Sequence, residues 1–380
     1  MELNQIREQI DQIDHQLLEL FVRRMEAARE VAAYKRENGM PILDTGRERE
    51  VLNRVSAEAG PSMEHYAKLL YQTLFDLSRG YQSALLASGS PLLRRLEEAV
   101  ERREEAMPNR ALVACQGTEG AYAQKACDHM FEFADILYMN TFDDVFAAVE
   151  KGMCPYGVLP IENSSAGSVT QVYDLMEKHN FHIVRAARER IEHKLMARPG
   201  VRMEDVREVV SHEQALRQCS GFFHENPKVR ATAMSNTARA AEFVAASDRK
   251  DIAVIASGDC SELYGLNVLC DSVSNAESNF TRFICIAKDM RLYDGANKIS
   301  LMLRAPHRPG SLYRLLSQIS VVGVNLTKLE SRPMPGRDFE FRFFFDLEAS
   351  ITKPEVRALI CELDRLSEQF TFLGNYEELH

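Results

Sequence analysis

From Leu3 to Tyr34 apolar side chains recur in alternating steps of three and four, at Leu3, Ile6, Ile10, Ile13, Leu17, Leu20, Ala27, Val31 and Tyr34. That period predicts one long helix carrying a coiled-coil-like seam. The pattern stops near Gly39 and Pro41, and a second helix should open at Thr45 and Glu48, which stand at capping-box spacing. A third is predicted through Tyr66, Leu69, Leu70, Leu74 and Leu77 to about Leu86. Three helices sharing one long exposed seam cannot close a good core alone, so two copies are expected to interlock.

From Ala111 the texture changes to short β-type runs that end in Gly or Pro and give way to helical stretches, as in 111–115, 156–161 and 252–255. This alternation predicts an α/β domain. The last segment reads as strand 298–305, helix 310–322, strand 324–331, a turn at Pro335-Gly336, strand 338–347, helix 353–366 and strand 369–373, the βαββαβ order of ferredoxin-like α+β folds. A charge-mixed stretch at 94–105 reads as a solvated linker helix. The expected organisation is a helical domain over 1–90, a charged linker over 91–108, an α/β domain over 109–290 and a βαββαβ domain over 297–380. A chain of 380 residues accommodates three such units.

Composition narrows the partners. A formal net charge of −10 argues against nucleic-acid binding, which depends on clustered cations. The eight cysteines form no C-x-x-C pair and no zinc-type spacing with histidine, so no metal or other cofactor is expected. No apolar run approaches a membrane span and the first residues lack the pattern of an export signal, which together predict free thiols and a cytoplasmic location away from membranes.

The chemistry begins on the helical seam. Continuing the heptad from Leu3, Ile10 and Leu17 lands on Arg24, which puts a guanidinium where burial demands an anion. That anion is either Glu48 or Asp44 in a structural ion pair, or a ligand. Arg7 and Lys35 lie near the same face at other heights, Asp44-Thr45-Gly46-Arg47-Glu48 adds another cation with two carboxylates, and Ser78 and Gln82 sit one turn apart. In order and spacing the set resembles the helical chorismate mutase family. The resemblance implies that Arg7, Arg24, Lys35, Asp44, Arg47, Glu48, Ser78 and Gln82 bind chorismate and catalyse its rearrangement to prephenate, with Arg7 reaching the site of a second subunit in an intertwined dimer.

In the middle segment the notable runs follow strands: Gln116-Gly117-Thr118-Glu119-Gly120, Pro160 to Gly167, Ser211-His212 with Gln218-Cys219, Asn236-Thr237-Ala238, and Asn279-Phe280-Thr281-Arg282-Phe283. Together these resemble prephenate dehydratase over about 111 to 288. The resemblance implies a two-lobed, periplasmic-binding-protein-like domain with its site between the lobes. Thr281 would be the acid that protonates the departing ring hydroxyl as carbon dioxide leaves, supported by Glu162, Arg282 or a bound water. Asn163, Ser164, Ser211, Gln218, Thr237, Arg282 and Phe283 would contact substrate. Departures are Thr118, Ala121 and Ala123 around Tyr122, and Glu213 where the family carries Pro.

The βαββαβ segment carries Pro309-Gly310-Ser311-Leu312 and Asn325-Leu326-Thr327-Lys328-Leu329-Glu330-Ser331-Arg332-Pro333, which resemble an ACT domain of the phenylalanine-regulated type. That implies L-phenylalanine bound between two copies by Gly310, Ser311 and Leu312 and by Asn325, Leu326, Thr327, Glu330, Ser331 and Arg332. Taken together, the resemblances imply a homodimer or higher homo-oligomer with two activities and feedback inhibition.

Overall fold

The computed structural model describes residues 3–86, 90–275, 278–334 and 340–380. Four helices come first: α1 (Leu3–Glu37), α2 (Thr45–Ala59), α3 (Glu64–Leu86) and α4 (Pro91–Glu101). Along the first six turns of α1 the apolar seam lies open, with Leu3 63%, Ile10 50% and Leu17 55% exposed, and burial begins only at Ala28 and Ala32. One copy therefore leaves its longest apolar face without a partner. The linker helix α4 is not solvated all round, contrary to its charge-mixed sequence. Leu96 and Ala99 enter the core of the C-terminal domain beside Leu315, Leu359 and Leu363, because grouping the charges of the helix on one side leaves an apolar stripe on the other.

The α/β part runs β1 (Arg110–Gln116), α5 (Tyr122–Met130), β2 (Phe133–Met139), α6 (Phe142–Glu150), β3 (Tyr156–Asn163), the two-residue β4 (Gly167–Ser168), α7 (Thr170–His179) and β5 (His182–Arg190). The chain then crosses to a second lobe built of β6 (Lys194–Ala197), β7 (Glu208–His212), α8 (Glu213–Gln218), α9 (Ser220–Glu225), β8 (Arg230–Met234), α10 (Thr237–Ala246), β9 (Ile252–Ala256), α11 (Asp259–Tyr264) and β10 (Asn267–Cys270). It returns in β11 (Phe280–Ala287), which inserts antiparallel between β3 and β5. The second lobe has its own sheet, ordered β10-β6-β9-β7-β8. Central strands such as β1 are apolar on both faces because helices cover both sides of the sheet.

The last segment is β12 (Lys298–Arg304), α12 (Ser311–Val322), β13 (Asn325–Pro333), β14 (Phe341–Glu348), α13 (Pro354–Leu366) and β15 (Gln369–Leu379), in the expected βαββαβ order. The anticipated turn at Pro335-Gly336 and the first residues of the strand after it lie outside the described residues. Strand β15 extends well past the expected end at 373. Its second half turns at Gly374 and pairs in parallel with β5, so the sheets of the first lobe and the C-terminal domain run on as one, in the order β13-β14-β12-β15-β5-β11-β3-β1-β2. The join depends on that glycine: its φ is 152°, and a Cβ there would stand 2.2 Å from the Ile183 carbonyl oxygen.

Candidate active sites

In the helical domain Arg24 finds neither of the carboxylates open to it. Its Nη1 donates to the Leu74 carbonyl at 3.2 Å, and its guanidinium lies 5.8 Å from the centre of the Phe75 ring. Glu48 is held instead by Arg79, which also binds Asp76. Asp44 caps α2 by accepting from the Arg47 backbone N–H at 2.9 Å. Among the described residues Arg24 and Lys35 meet no carboxylate; Lys35 donates to the Ile42 carbonyl. Burial pulls the Arg24 guanidinium below its usual pKa, with Tyr71 opposing. Next along α3, Ser78 and Gln82 are buried, joined at 3.3 Å from Gln82 Nε2 to Ser78 Oγ, while Gln82 Oε1 has no partner. Arg47 is exposed and pairs with Glu50 at 2.6 Å. Arg7 is exposed, and 17 residues of helix put it about 25 Å from Arg24. One chain thus does not bring Arg7 to Arg24 and its neighbours. Arg79 escaped the sequence reading, although its i,i+3 spacing from Asp76 was the available signal.

Between the two lobes lies a cavity of about 490 Å³ whose wall includes Asn163, Gln218, Thr237, Thr281 and Phe283. Among the described residues no Lys, Arg, Asp or Glu lines it, but Glu213 and Arg217 line a cavity of about 600 Å³ that adjoins it at His212, Gln214 and Gln218. The carboxamide oxygen of Asn163 accepts from the backbone N–H groups of Ser165 (3.0 Å) and Ala166 (2.9 Å), which fixes the amide's orientation. Its nitrogen must then face β11, donating to Thr281 Oγ1 at 2.9 Å and to Asn279 Oδ1 at 2.9 Å. With its oxygen occupied by that donor, the Thr281 hydroxyl keeps its own proton for the cleft. His212 caps α8, its Nδ1 accepting from the Gln214 N–H at 3.3 Å, and also lines the cavity. Burial lowers its pKa, against the opposing pull of Glu213.

Four expected contacts fall elsewhere. Strand residues alternate faces, so Arg282 and its register partner Glu162 point away from Thr281, behind the sheet. There they line a second cavity of about 560 Å³ against the C-terminal domain, together with Ser164, Lys298, Lys328 and Asp346. Arg282 binds Asp346 at 2.6 Å, and Lys328 binds Glu162 at 3.0 Å. Burial alone would lower the Arg282 pKa, but Asp346 and its other neighbours raise it well above the usual value. Neither Glu162 nor Arg282 can resupply Thr281 directly. The Ser164 hydroxyl accepts from the Phe280 N–H at 3.0 Å. The Ser211 hydroxyl is fully buried and donates to the Ile255 carbonyl within the second sheet, out of reach of a ligand.

In the C-terminal domain Gly310, with φ 80°, precedes α12, and Ser311 and Leu312 line a cavity of about 390 Å³ with His307, Phe341 and Phe343. The β13 residues lie apart from it. Glu330 accepts from the Ser168 hydroxyl and pairs with Lys328 (3.2 Å) and Arg332 (2.8 Å). Arg332 stacks 4.7 Å above the Tyr173 ring. Asn325 donates to Glu348 at 2.7 Å, Thr327 to the Asp346 carbonyl at 3.2 Å, Leu326 packs on the core and Ser331 is exposed. Within one chain the two halves of the expected effector site do not meet.

Comparison with known proteins gives two family matches: chorismate mutase type II over residues 6–83 and prephenate dehydratase over residues 113–291. The bifunctional chorismate mutase/prephenate dehydratase of Escherichia coli (strain K12) is 30% identical over 380 residues, 98% of this chain and 95% of that protein. Arogenate dehydratase 5 of Arabidopsis thaliana is 34% identical over 283 residues, 70% of this chain and 67% of that protein. The structure of prephenate dehydratase from Arthrobacter aurescens in complex with L-Phe matches with a TM-score of 0.64 and 28% identity, covering 70% of this chain and 89% of that one. Among the described residues no helix is long and apolar enough to cross a membrane.

Proposed function

The chain belongs to the bifunctional chorismate mutase/prephenate dehydratases and carries both activities, and from that premise we propose how its residues divide the work. In the helical domain Arg24, Lys35 and Arg47, with Arg7 of a second copy, grip the two carboxylates of chorismate and hold it in the reactive conformer. Lys35 and Gln82 donate to the ether oxygen as the carbon–oxygen bond breaks and charge gathers there. Glu48, Asp44 and Ser78 complete the polar wall. The observation that carries this reading is Arg24, half-buried and, among the described residues, short of an anion. The open seam of α1 favours a dimer in which each copy completes its partner's pocket.

Prephenate then enters the cleft between the lobes, where Thr281 protonates the leaving hydroxyl as carbon dioxide departs. Asn163 holds the threonine oxygen, Gln218 braces Asn163, and Thr237 and Phe283 contact the substrate. A wall of amides and hydroxyls around Thr281 suits the step: decarboxylation disperses a localised carboxylate charge, and a cation placed there would stabilise the ground state more than the transition state.

The βαββαβ unit acts as an ACT-type sensor. L-phenylalanine would lie between two copies, at Gly310–Leu312 of one and β13 of the other. The pairing of Glu330 and Lys328 with Ser168, itself in the cleft wall, supports a route from β13 to the active cleft. Feedback inhibition requires tighter effector binding to the less active state.

Supplying chorismate to the full chain and following prephenate and phenylpyruvate tests these assignments together. Thr281→Ala should accumulate prephenate, and normal phenylpyruvate formation by that variant rejects the acid. Calorimetry with L-phenylalanine on the full chain tests the sensor, and absence of heat at millimolar ligand rejects it.

A further inference from the structure

A chain of hydrogen bonds crosses the cleft and ends on a histidine that the acid and its amide leave unused. His193 lies where the polypeptide passes from β5 of the first lobe to β6 of the second, and it is 3% exposed. Its Nε2 stands 3.0 Å from Gln218 Oε1, Gln218 Nε2 stands 3.3 Å from Asn163 Oδ1, and Asn163 Nδ2 stands 2.9 Å from Thr281 Oγ1.

The polarity of the chain follows from its fixed end. Two backbone N–H groups hold the Asn163 oxygen in place, so Gln218 can approach it only with its amide nitrogen. The Gln218 oxygen is thereby turned toward His193. An amide oxygen only accepts, so Nε2 must carry the hydrogen, and Nδ1, which has no protein partner, is left bare. Burial favours the neutral ring, lowering its pKa against the opposing pull of Gln218. Tyr122, its hydroxyl donating to the Glu192 carbonyl, packs edge-on to the imidazole with 6.1 Å between ring centres.

We propose that His193 is a positioning residue of the dehydratase reaction: as the Nε2–H tautomer it anchors the Gln218 amide, so that the second lobe meets Asn163 of the first and the Thr281 proton stays aimed into the cleft. The proposal rests on Thr281 being the acid. Gln218 ends α8 in one lobe and Asn163 ends β3 in the other, so their bond is the link that crosses the cleft. Without His193 the Gln218 oxygen loses its protein donor, nothing fixes the amide's orientation, and the crossing bond is lost. The result is a misplaced hydroxyl, seen in kcat more than in KM.

The test uses the full-length chain, with its own mutase activity as the measure of folding in each variant. His193→Ala should lower dehydratase kcat about 10- to 100-fold, with KM for prephenate within about threefold and mutase unchanged. His193→Gln, whose amide N–H can reach the place of Nε2, should recover most of the loss; His193→Asn, whose amide reaches only the place of Nδ1, should not. Combined with Gln218→Ala, His193→Ala should add nothing further. The proposal is overturned if Gln rescues no better than Asn, if the double variant is additive, or if KM changes at constant kcat. Thr281→Ala separates the two claims. Should it retain turnover, the acid assignment fails; should it be inactive while His193→Ala is normal, only the role of His193 fails.

Discussion

The helical pocket and the cleft between the lobes each handle a small dicarboxylic acid, and they do so by opposite means. In the helical domain half-buried cations stand without protein carboxylates, Arg24 on a backbone carbonyl and an aromatic face, Lys35 on another carbonyl. Around Thr281 no Lys, Arg, Asp or Glu among the described residues lines the wall, and amides and hydroxyls are already locked to one another. The difference tracks the chemistry. A rearrangement must hold both carboxylates still while charge gathers on an ether oxygen, whereas a decarboxylation must let one carboxylate lose its charge. Charged residues are plentiful one layer behind the cleft, where Arg282, Asp346, Lys328 and Glu162 join the first lobe to the C-terminal domain. The sheet keeps them out of the site.

The largest expected effect removes the grip. Arg24→Ala should lower mutase kcat/KM by about 10²- to 10³-fold, the usual cost of one group that holds developing or fixed charge in a closed site. Dehydratase turnover of added prephenate by the same variant should be unchanged. A loss in both activities would mean that Arg24 serves assembly rather than chorismate.

Acidification should separate the sites next. The histidines that line the cleft are His193 and His212, and burial lowers both below the ordinary histidine range. A base with a lowered pKa stays neutral through that range and charges only beneath it. Dehydratase kcat/KM should therefore be flat from neutral pH down through the ordinary histidine range and then fall, approaching about tenfold per pH unit, as cations appear in a cleft that works without them. Over the same interval the mutase, whose arginines remain charged, should change less. A dehydratase profile that already falls through the ordinary histidine range would contradict a neutral cleft.

How far the sequence could be read follows from where each signal is local. The heptad from Leu3 to Tyr34 and the βαββαβ order are periodic within a segment, so element type and sequence survive in the structure. The extension of β15 is not periodic: Gly374, Asn375, Glu377 and Glu378 break the apolar run, and Glu378 is buried only because Lys298 and Arg188 meet it. For the sites, Asn163, Gln218 and Thr281 line one cavity. Glu162 and Arg282 are not, although strand alternation on either side of Asn163 and Thr281 already held that answer. His193 could not be found by pattern, since its meaning depends on an amide from another lobe. The Glu48–Arg79 pair was similarly hidden, because it joins two helices whose packing no single period encodes.

The ionic layer behind the cleft offers a smaller, regulatory test of the same contrast. Glu162→Gln breaks the pairing with Lys328 while leaving the Thr281 face intact. Dehydratase kcat without effector should change by less than about threefold, while the L-phenylalanine concentration for half-inhibition rises about five- to tenfold, a coupling of ordinary allosteric size. Inhibition curves on the purified variant decide it. If basal turnover instead collapses by two orders of magnitude, Glu162 acts in catalysis after all and the two sides of the sheet are not separate.

Ionic strength should produce the smallest and most direct difference. Both substrates are dianions, and both approach a chain with a formal net charge of −10, so the long-range field acts on the two reactions alike. What differs is the local field. At 0.01 M salt the screening length is about 30 Å, and at 1 M about 3 Å, short enough to weaken attraction to exposed cations such as Arg47. Raising salt across that range should increase the mutase KM for chorismate about two- to fivefold through loss of that attraction. The KM for prephenate, set by amides and hydroxyls in contact with the substrate, should rise less, or fall slightly as repulsion by the acidic surface is screened. Equal salt dependence in the two activities would remove the electrostatic distinction between the sites and assign the grip on chorismate to contacts other than its cations.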